Sequence, residues 1–366
     1  LGCVVLLAAG APLLYKVHVE TDLYRFFGPE HPLTKSTHLV EQKLTGVSPL
    51  EVVFDAGRRD GLKDPRRLHA IERFQHWLDS LPQVDRTVSF PDLVQEMNWA
   101  FHSQEPVYRR VPDNRRLISQ YLFIYDGNDL YDLVDREFQH TRITINLNVD
   151  GATEIGAVIQ TIRNHLRTHP VADLKARVAG LGRLFADQQT LLIQGQIRSL
   201  WSAVGLIFIM MIVLWRSVRT AALCMIPNVA PIMLIFIAMG GLGIWLDMAT
   251  AMIASIAVGI AVDDTIHVYH EFARRRRAGR GLALSLMRTY HRSGRAVVAT
   301  TVILSVQFLL LTASAFVPTD EFGLLTALGL ISALIFDLML LPAILVLVRD
   351  RGGGAGSQRR QSAGSR

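Results

Sequence analysis

Cysteine is scarce in this chain, with two residues, Cys3 and Cys224, among 366. Both fall in apolar runs and the charged stretch 16–195 has none, which excludes a disulfide framework; no spacing offers a metal cage either. No cofactor is implied, and no motif points to an enzyme. Charge is scarce too, but only in one part. Residues 196–348 are mostly apolar, with charges confined to short connectors and a few internal positions, whereas 16–195 carry them throughout. Support for a secretory leader is also lacking. Leu1–Leu14 is apolar, but no basic segment precedes it and no small-residue cleavage site follows. The run is too short to cross a bilayer, which takes about 20 residues. A transmembrane helix whose start is missing fits 1–15, so the chain reads as a fragment or as half of a longer protein.

What is present is a set of five full apolar spans, near 197–215, 221–243, 248–269, 296–317 and 321–348. With the partial first helix this makes six, and the expected fold is an α-helical polytopic membrane protein. The net charge is +6, and its placement matters more than its size. Arg216 and Arg219 lie between two spans. Arg274 to Arg277, Arg280, Arg288, Arg292 and Arg295 crowd the connector 270–295, and Arg349 and Arg351 follow the last span. A basic patch can mark a nucleic-acid site. Here each patch flanks an apolar span, so the positive-inside rule accounts for it and no nucleic-acid partner is expected. The basic connectors and the C-terminus are then cytoplasmic. The short turns 244–247 and 318–320, which lack Lys and Arg, are external, and so is the domain 16–195. The helical spacing of Gly281-LALSLMRTYHRSGRAV suggests a helix along the membrane surface. The Gly-, Ser- and Arg-rich residues 349–366 read as a disordered cytoplasmic tail.

Within 16–195 the pattern is mixed α/β. Leu50-EVVFD, Val84-DRTVSF, Leu117-ISQYLFIY, Thr141-RITINLNV and Leu174-KARVAG read as strands. Asp64-PRRLHAIERFQHWLDSL opens with Asp then Pro and reads as a helix, as does Gly151 to His169. Strand–helix–strand units occur twice, which suggests ferredoxin-like βαβ subdomains, two in number.

The residues that bear chemistry are in the third full span, Met248-ATAMIASIAVGIAV-Asp263-Asp264-TIHVYHEF. A charged side chain at a bilayer centre costs about 2.5–3.5 kcal/mol even on lenient scales, so acids there are usually functional. Asp263 lies about 15 residues, roughly 22 Å, from the outer end of the helix, slightly past the midplane. Residues four apart share a helical face, so Gly259, Asp263, His267 and Glu271 form one stripe with Asp264 at its edge. A low-dielectric setting favours the neutral form of a carboxylate. Asp263, Asp264 and His267 are the expected proton-coupling residues, with His267 as a link to the cytoplasm and Gly259 as a point of close helix approach. The blander reading is that the acids only satisfy polar partners on other helices and that His267 is an interfacial anchor. Thr300, Thr301 and Ser305 either bond the acids or their own backbone carbonyls. Asp337, before Leu341-Pro342, is a further relay candidate.

The run Gly259-IAV-Asp263-Asp264-TIH is similar to the G-x-x-x-D motif in the fourth helix of each half of resistance–nodulation–division (RND) transporters. Thr21-DLYRFFGPEHPL and Leu44-TGVSPLEVVFD resemble the MMPL-type branch. So do Arg295-AVVATTVILSVQFLLLTASAF and Phe322-GLLTALGLISALIFDLMLLPAI. The resemblance covers nearly the whole chain. It implies a twelve-helix exporter of two repeats, each with one helix, a porter-type domain and five more helices, and this chain looks like the second repeat. It further implies export of hydrophobic or lipid-like molecules across the inner membrane, driven by the proton gradient. The missing first repeat or other subunits would be partners. Many MMPL relatives carry an aromatic residue where Asp264 stands. Two other classes share features: SecD and SecF translocation factors, of which SecF-like sequences carry Asn where Asp263 stands, and sterol-sensing or receptor-like membrane proteins, which loss of the acid would suggest.

Overall fold

The computed structural model describes residues 2–22, 24–125 and 127–346. The chain divides into two compact units, one of Thr21–Thr190 and one of Leu1–Glu20 with Leu191–Arg366. The first element is a short helix, α1 (Gly2–Gly10), continued by a 3-10 turn over Ala11–Lys16.

The Thr21–Thr190 unit contains α2 (Pro32–Lys43), β1 (Ser48–Asp55), α3 (Pro65–Asp79), β2 (Val84–Ser89), α4 (Phe90–Phe101), α5 (Arg115–Ile124), α6 (Asn128–Leu133), β3 (His140–Leu147), α7 (Ala152–Thr168) and β4 (Lys175–Ala179). The four strands form one antiparallel sheet in the order β2-β3-β1-β4. Alternate residues on β1 and β3 are buried: Leu50, Val52 and Phe54 stand opposite Ile145, Ile143 and Thr141. That period of two turns one face inward. Leu68, Ile71, Phe74 and Leu78 of α3 and Ile155, Val158, Ile159 and Ile162 of α7 complete the core. Their spacing of three and four residues makes one apolar stripe per helix. Phe54 meets Phe74 edge-on, with ring centroids 5.8 Å apart.

Two expectations are corrected here. The strand–helix–strand units β1-α3-β2 and β3-α7-β4 do not make two subdomains; they share one sheet, with α4 to α6 inserted between them. Residues 117–125 are not a strand. Residues 117–124 belong to α5 and Tyr125 is its C-cap, because Ile118, Tyr121 and Leu122 are the buried positions, a helical spacing, and the Asn114 side chain caps the Arg116 amide at 2.9 Å.

Among the described residues five helices are long and apolar enough to cross a bilayer. They are α8 (Leu181–Trp215), α9 (Val218–Leu242), α10 (Thr250–Arg277), a helix over Leu282–Ala313, and one over Val317–Val346. The fourth consists of α11 (Leu282–Thr289), a π turn at Tyr290–Gly294, α12 (Arg295–Leu309) and a short 3-10 turn. The fifth consists of α13 (Val317–Ile335), a π turn at Phe336–Leu340 and a final helical stretch to Val346. The expected separate surface helix is therefore the start of the fourth long helix. The expected turn 318–320 is the first turn of α13, where Pro318 sits at a position with no amide to lose. The expected tail, 349–366, lies outside the described residues.

Over half of the apolar stretch of α9 is buried, but almost none of that of α8. The centre of this bundle is thus α9, with α10 and α13 against it. Gly240 of α9 lies against the backbone of Leu13, and Gly329 of α13 against Ile235. The chain leaves α9 through Gly243, whose φ of 71° suits glycine. Asp247 then accepts from the Thr250 amide at 2.7 Å at the start of α10. That bond explains this acid without any functional role.

Candidate functional site

The helix α10 has two unlike faces. Val258, Ala261, Val262, Thr265 and Val268 are buried in the bundle. The opposite stripe of Gly259, Asp263 and His267 points away from it; the Asp263 and His267 side chains are 74% and 71% exposed. His267 Nε2 lies 3.5 Å from Asp263 Oδ1, one turn away. Asp264 is half-buried at the edge of the stripe. The fourth member, Glu271, is held instead by Arg274 at 2.7 Å and Arg275 at 2.5 Å.

The stripe opens onto a groove of about 680 Å³ between α10 and the fourth long helix. Asp263, Asp264 and His267 line one wall, and Arg292, Thr300 and Thr301 line the other. Carboxylates, an imidazole and a guanidinium thus share one cavity open at its side. Such a cavity can take up protons and hold an amphiphile with a polar end. Arg292, which the sequence places in a basic connector, was not legible as a site residue. It reaches the groove because the helix continues through the π turn at Tyr290–Gly294.

Two expectations about this region change. Among the described residues none approaches Gly259 closely, since a Cβ added there meets nothing within 4 Å. Thr300 donates to its own backbone, to Val297 O at 3.0 Å, which is the blander reading for that residue. Thr301 and Ser305 are both buried on one face of α12. Thr301 lines the groove, whereas Ser305 does not, and among the described residues its Oγ has no hydrogen-bond partner.

Asp337 is separate from this stripe. It is 1% exposed and lies in the π turn at Phe336–Leu340, against the buried face of α10. Its Oδ1 is 2.6 Å from Thr265 Oγ1, which is in turn 3.2 Å from Asn228 Oδ1. Asn228 lies on α9 between Pro227 and Pro231 and donates to the Cys224 carbonyl at 2.7 Å. An amide between two prolines in an apolar helix was the available signal for this second cluster.

The sequence model of the MMPL family matches residues 132–364. The chain belongs to the MMPL family. A membrane protein of Methanocaldococcus jannaschii is 24% identical over 344 residues, an alignment covering 90% of this chain and 85% of that relative. With five long apolar helices among the described residues, this MMPL protein is a multi-pass membrane protein. The match includes α10, so the acid stripe and its groove lie within the part the MMPL family shares.

Proposed function

We propose that this MMPL protein exports hydrophobic or amphiphilic, lipid-like molecules across the plasma membrane, driven by protons through Asp263 and Asp264. The observation that carries the reading is the groove in which both acids, His267 and Arg292 meet beside apolar helices. Ionisable groups in a spanning helix are retained for ion or proton traffic far more often than for packing. In this reading a proton neutralises the acid pair, His267 passes protons between the groove and the cytoplasm, and helix packing shifts in response.

The Thr21–Thr190 unit would lie on the external side, as the basic connectors suggest, and would offer the substrate a path. Its β-α-β, β-α-β order over one sheet supports reading it as one ferredoxin-like unit. A second six-helix unit, whether another repeat or another copy, would cover the outward stripe of Gly259, Asp263 and His267. The size of the relative, little longer than the shared alignment, fits such a single unit working with a partner.

The test is proton-driven efflux of a lipid-like dye from cells or vesicles carrying the protein in its native assembly. Asp263→Asn and Asp264→Asn should each lower the rate at least about tenfold, with unchanged membrane abundance; the usual contribution of a proton-transfer group is 10²–10⁴-fold. Full efflux in both variants would overturn the proposal.

A further inference from the structure

The Asp337 cluster contains too few protons unless the carboxyl itself carries one. Thr265 is fully buried, and its hydroxyl has a single proton to donate. Two oxygens face it, Asp337 Oδ1 at 2.6 Å and Asn228 Oδ1 at 3.2 Å. The Asn228 amide cannot turn to supply the missing proton, because its Nδ2 is already given to the Cys224 carbonyl at 2.7 Å. Reversing it would set oxygen against oxygen. With Asp337 ionised, one of the two acceptors is left without a donor at a buried position. If the hydroxyl turned to Asn228, the 2.6 Å contact to Asp337 would have no proton in it. With a proton on Asp337 Oδ1 every link is filled: Asp337 donates to Thr265, Thr265 to Asn228, and Asn228 to Cys224.

We propose that Asp337 is a second, buried proton-binding site, joining α9, α10 and the last long helix through Asn228 and Thr265. The surroundings agree. The titratable groups that face it are Cys224 on α9, Asp264 on α10 and Tyr290 in the fourth helix, none of them a base that could neutralise an ionised carboxyl. Among the described residues its Oδ2 has no hydrogen-bond partner. The Tyr290 hydroxyl donates to the Asp337 backbone carbonyl at 3.0 Å, so two π turns, 290–294 and 336–340, meet at this residue. Such turns are frequent at functional sites. Loss of the proton would leave a buried charge with at most one donor, so this helix arrangement is the one that holds the proton. Asp264, next to Thr265 in the chain and on the groove wall, is an acid from which a proton could arrive. That route rests on the function proposed above; the protonation of Asp337 does not.

The test is infrared spectroscopy of the full chain in lipid bilayers at neutral pH. A carboxylic C=O band should be present, be lost in Asp337→Asn, persist in Asp263→Asn, and shift to higher frequency in Thr265→Val, which removes the hydroxyl acceptor. Asn keeps the shape of a neutral acid, and the Thr265→Val shift decides the matter if Asp337→Asn fails to fold. The site is overturned if the wild type shows no such band, if the band survives Asp337→Asn, or if Thr265→Val leaves it unmoved. Transport plays no part in this readout, so failure of the export reading leaves it intact.

Discussion

Replacing Gly240 by alanine should loosen the docking of the first helical segment on α9. A Cβ built at Gly240 falls 1.9 Å from the Leu13 carbonyl oxygen and 2.8 Å from the Leu13 carbonyl carbon. Ordinary contact begins near 3.4 Å, so the two segments must part by about 1.5 Å. The obstacle is backbone, and no side-chain rotation relieves it. Overpacking of this kind costs about 1–3 kcal/mol. Alanine recovers about 0.8–1 kcal/mol of helix propensity, which leaves a net loss of about 0–2 kcal/mol. The neighbouring Gly241 is the control: its added Cβ would meet only Leu13 Cδ1, at 3.5 Å. Gly241→Ala gains the same propensity without the clash, so the gap between the two variants isolates the packing cost at about 1–3 kcal/mol. The assay is thermal unfolding of the full chain in lipid nanodiscs, comparing the two variants with the wild type. Equal midpoints for Gly240→Ala and Gly241→Ala would refute the close contact between Leu13 and α9.

The remaining predictions concern the Thr21–Thr190 unit. Ser89 is fully buried at the start of α4; its amide donates to Asp92 at 2.8 Å and its hydroxyl to Gln75 at 2.5 Å. Ser89→Ala should cost about 1 kcal/mol, seen as faster hydrogen exchange in α4; unchanged protection there would count against the cap. Arg67 donates to Asp173 from Nε at 2.9 Å and from Nη2 at 2.5 Å, which holds that carboxyl below the usual carboxylate range. A depressed folded value means that the contribution is full above the unfolded value, about 3.9, and fades as pH falls through the folded one. Acid titrations of stability should therefore be steeper for the wild type than for Asp173→Asn below about pH 4; parallel curves would contradict this.

Much of the architecture is legible in the sequence because its signals are local. Long apolar runs bounded by arginines mark helices that must satisfy their own backbone in lipid. The four-residue spacing of Gly259, Asp263 and His267 is enough to put them on one stripe. Asp64 followed by Pro65 announces α3, and the alternation in Ser48–Asp55 and His140–Leu147 announces two paired strands. The errors arose where two periods compete over a short stretch. Leu117 to Tyr125 is rich in β-formers, yet its buried positions repeat every three or four residues, and packing decided between the two. The count of subdomains failed for a related reason: strand pairing is non-local, and nothing within either βαβ unit says that its strands will join the other's sheet.

The sequence by itself determined that acids lie inside spanning helices and which of them share a face. Only the tertiary structure decided which face of α10 is buried, that Arg292 joins Asp263 and Asp264 in a groove, and that Asp337 meets Thr265 and Asn228 rather than the acid pair. A helical period depends on the chain's own geometry, whereas burial, and the hydrogen bonds that Thr265 makes to two other helices, depend on neighbours 37 and 72 residues away along the chain.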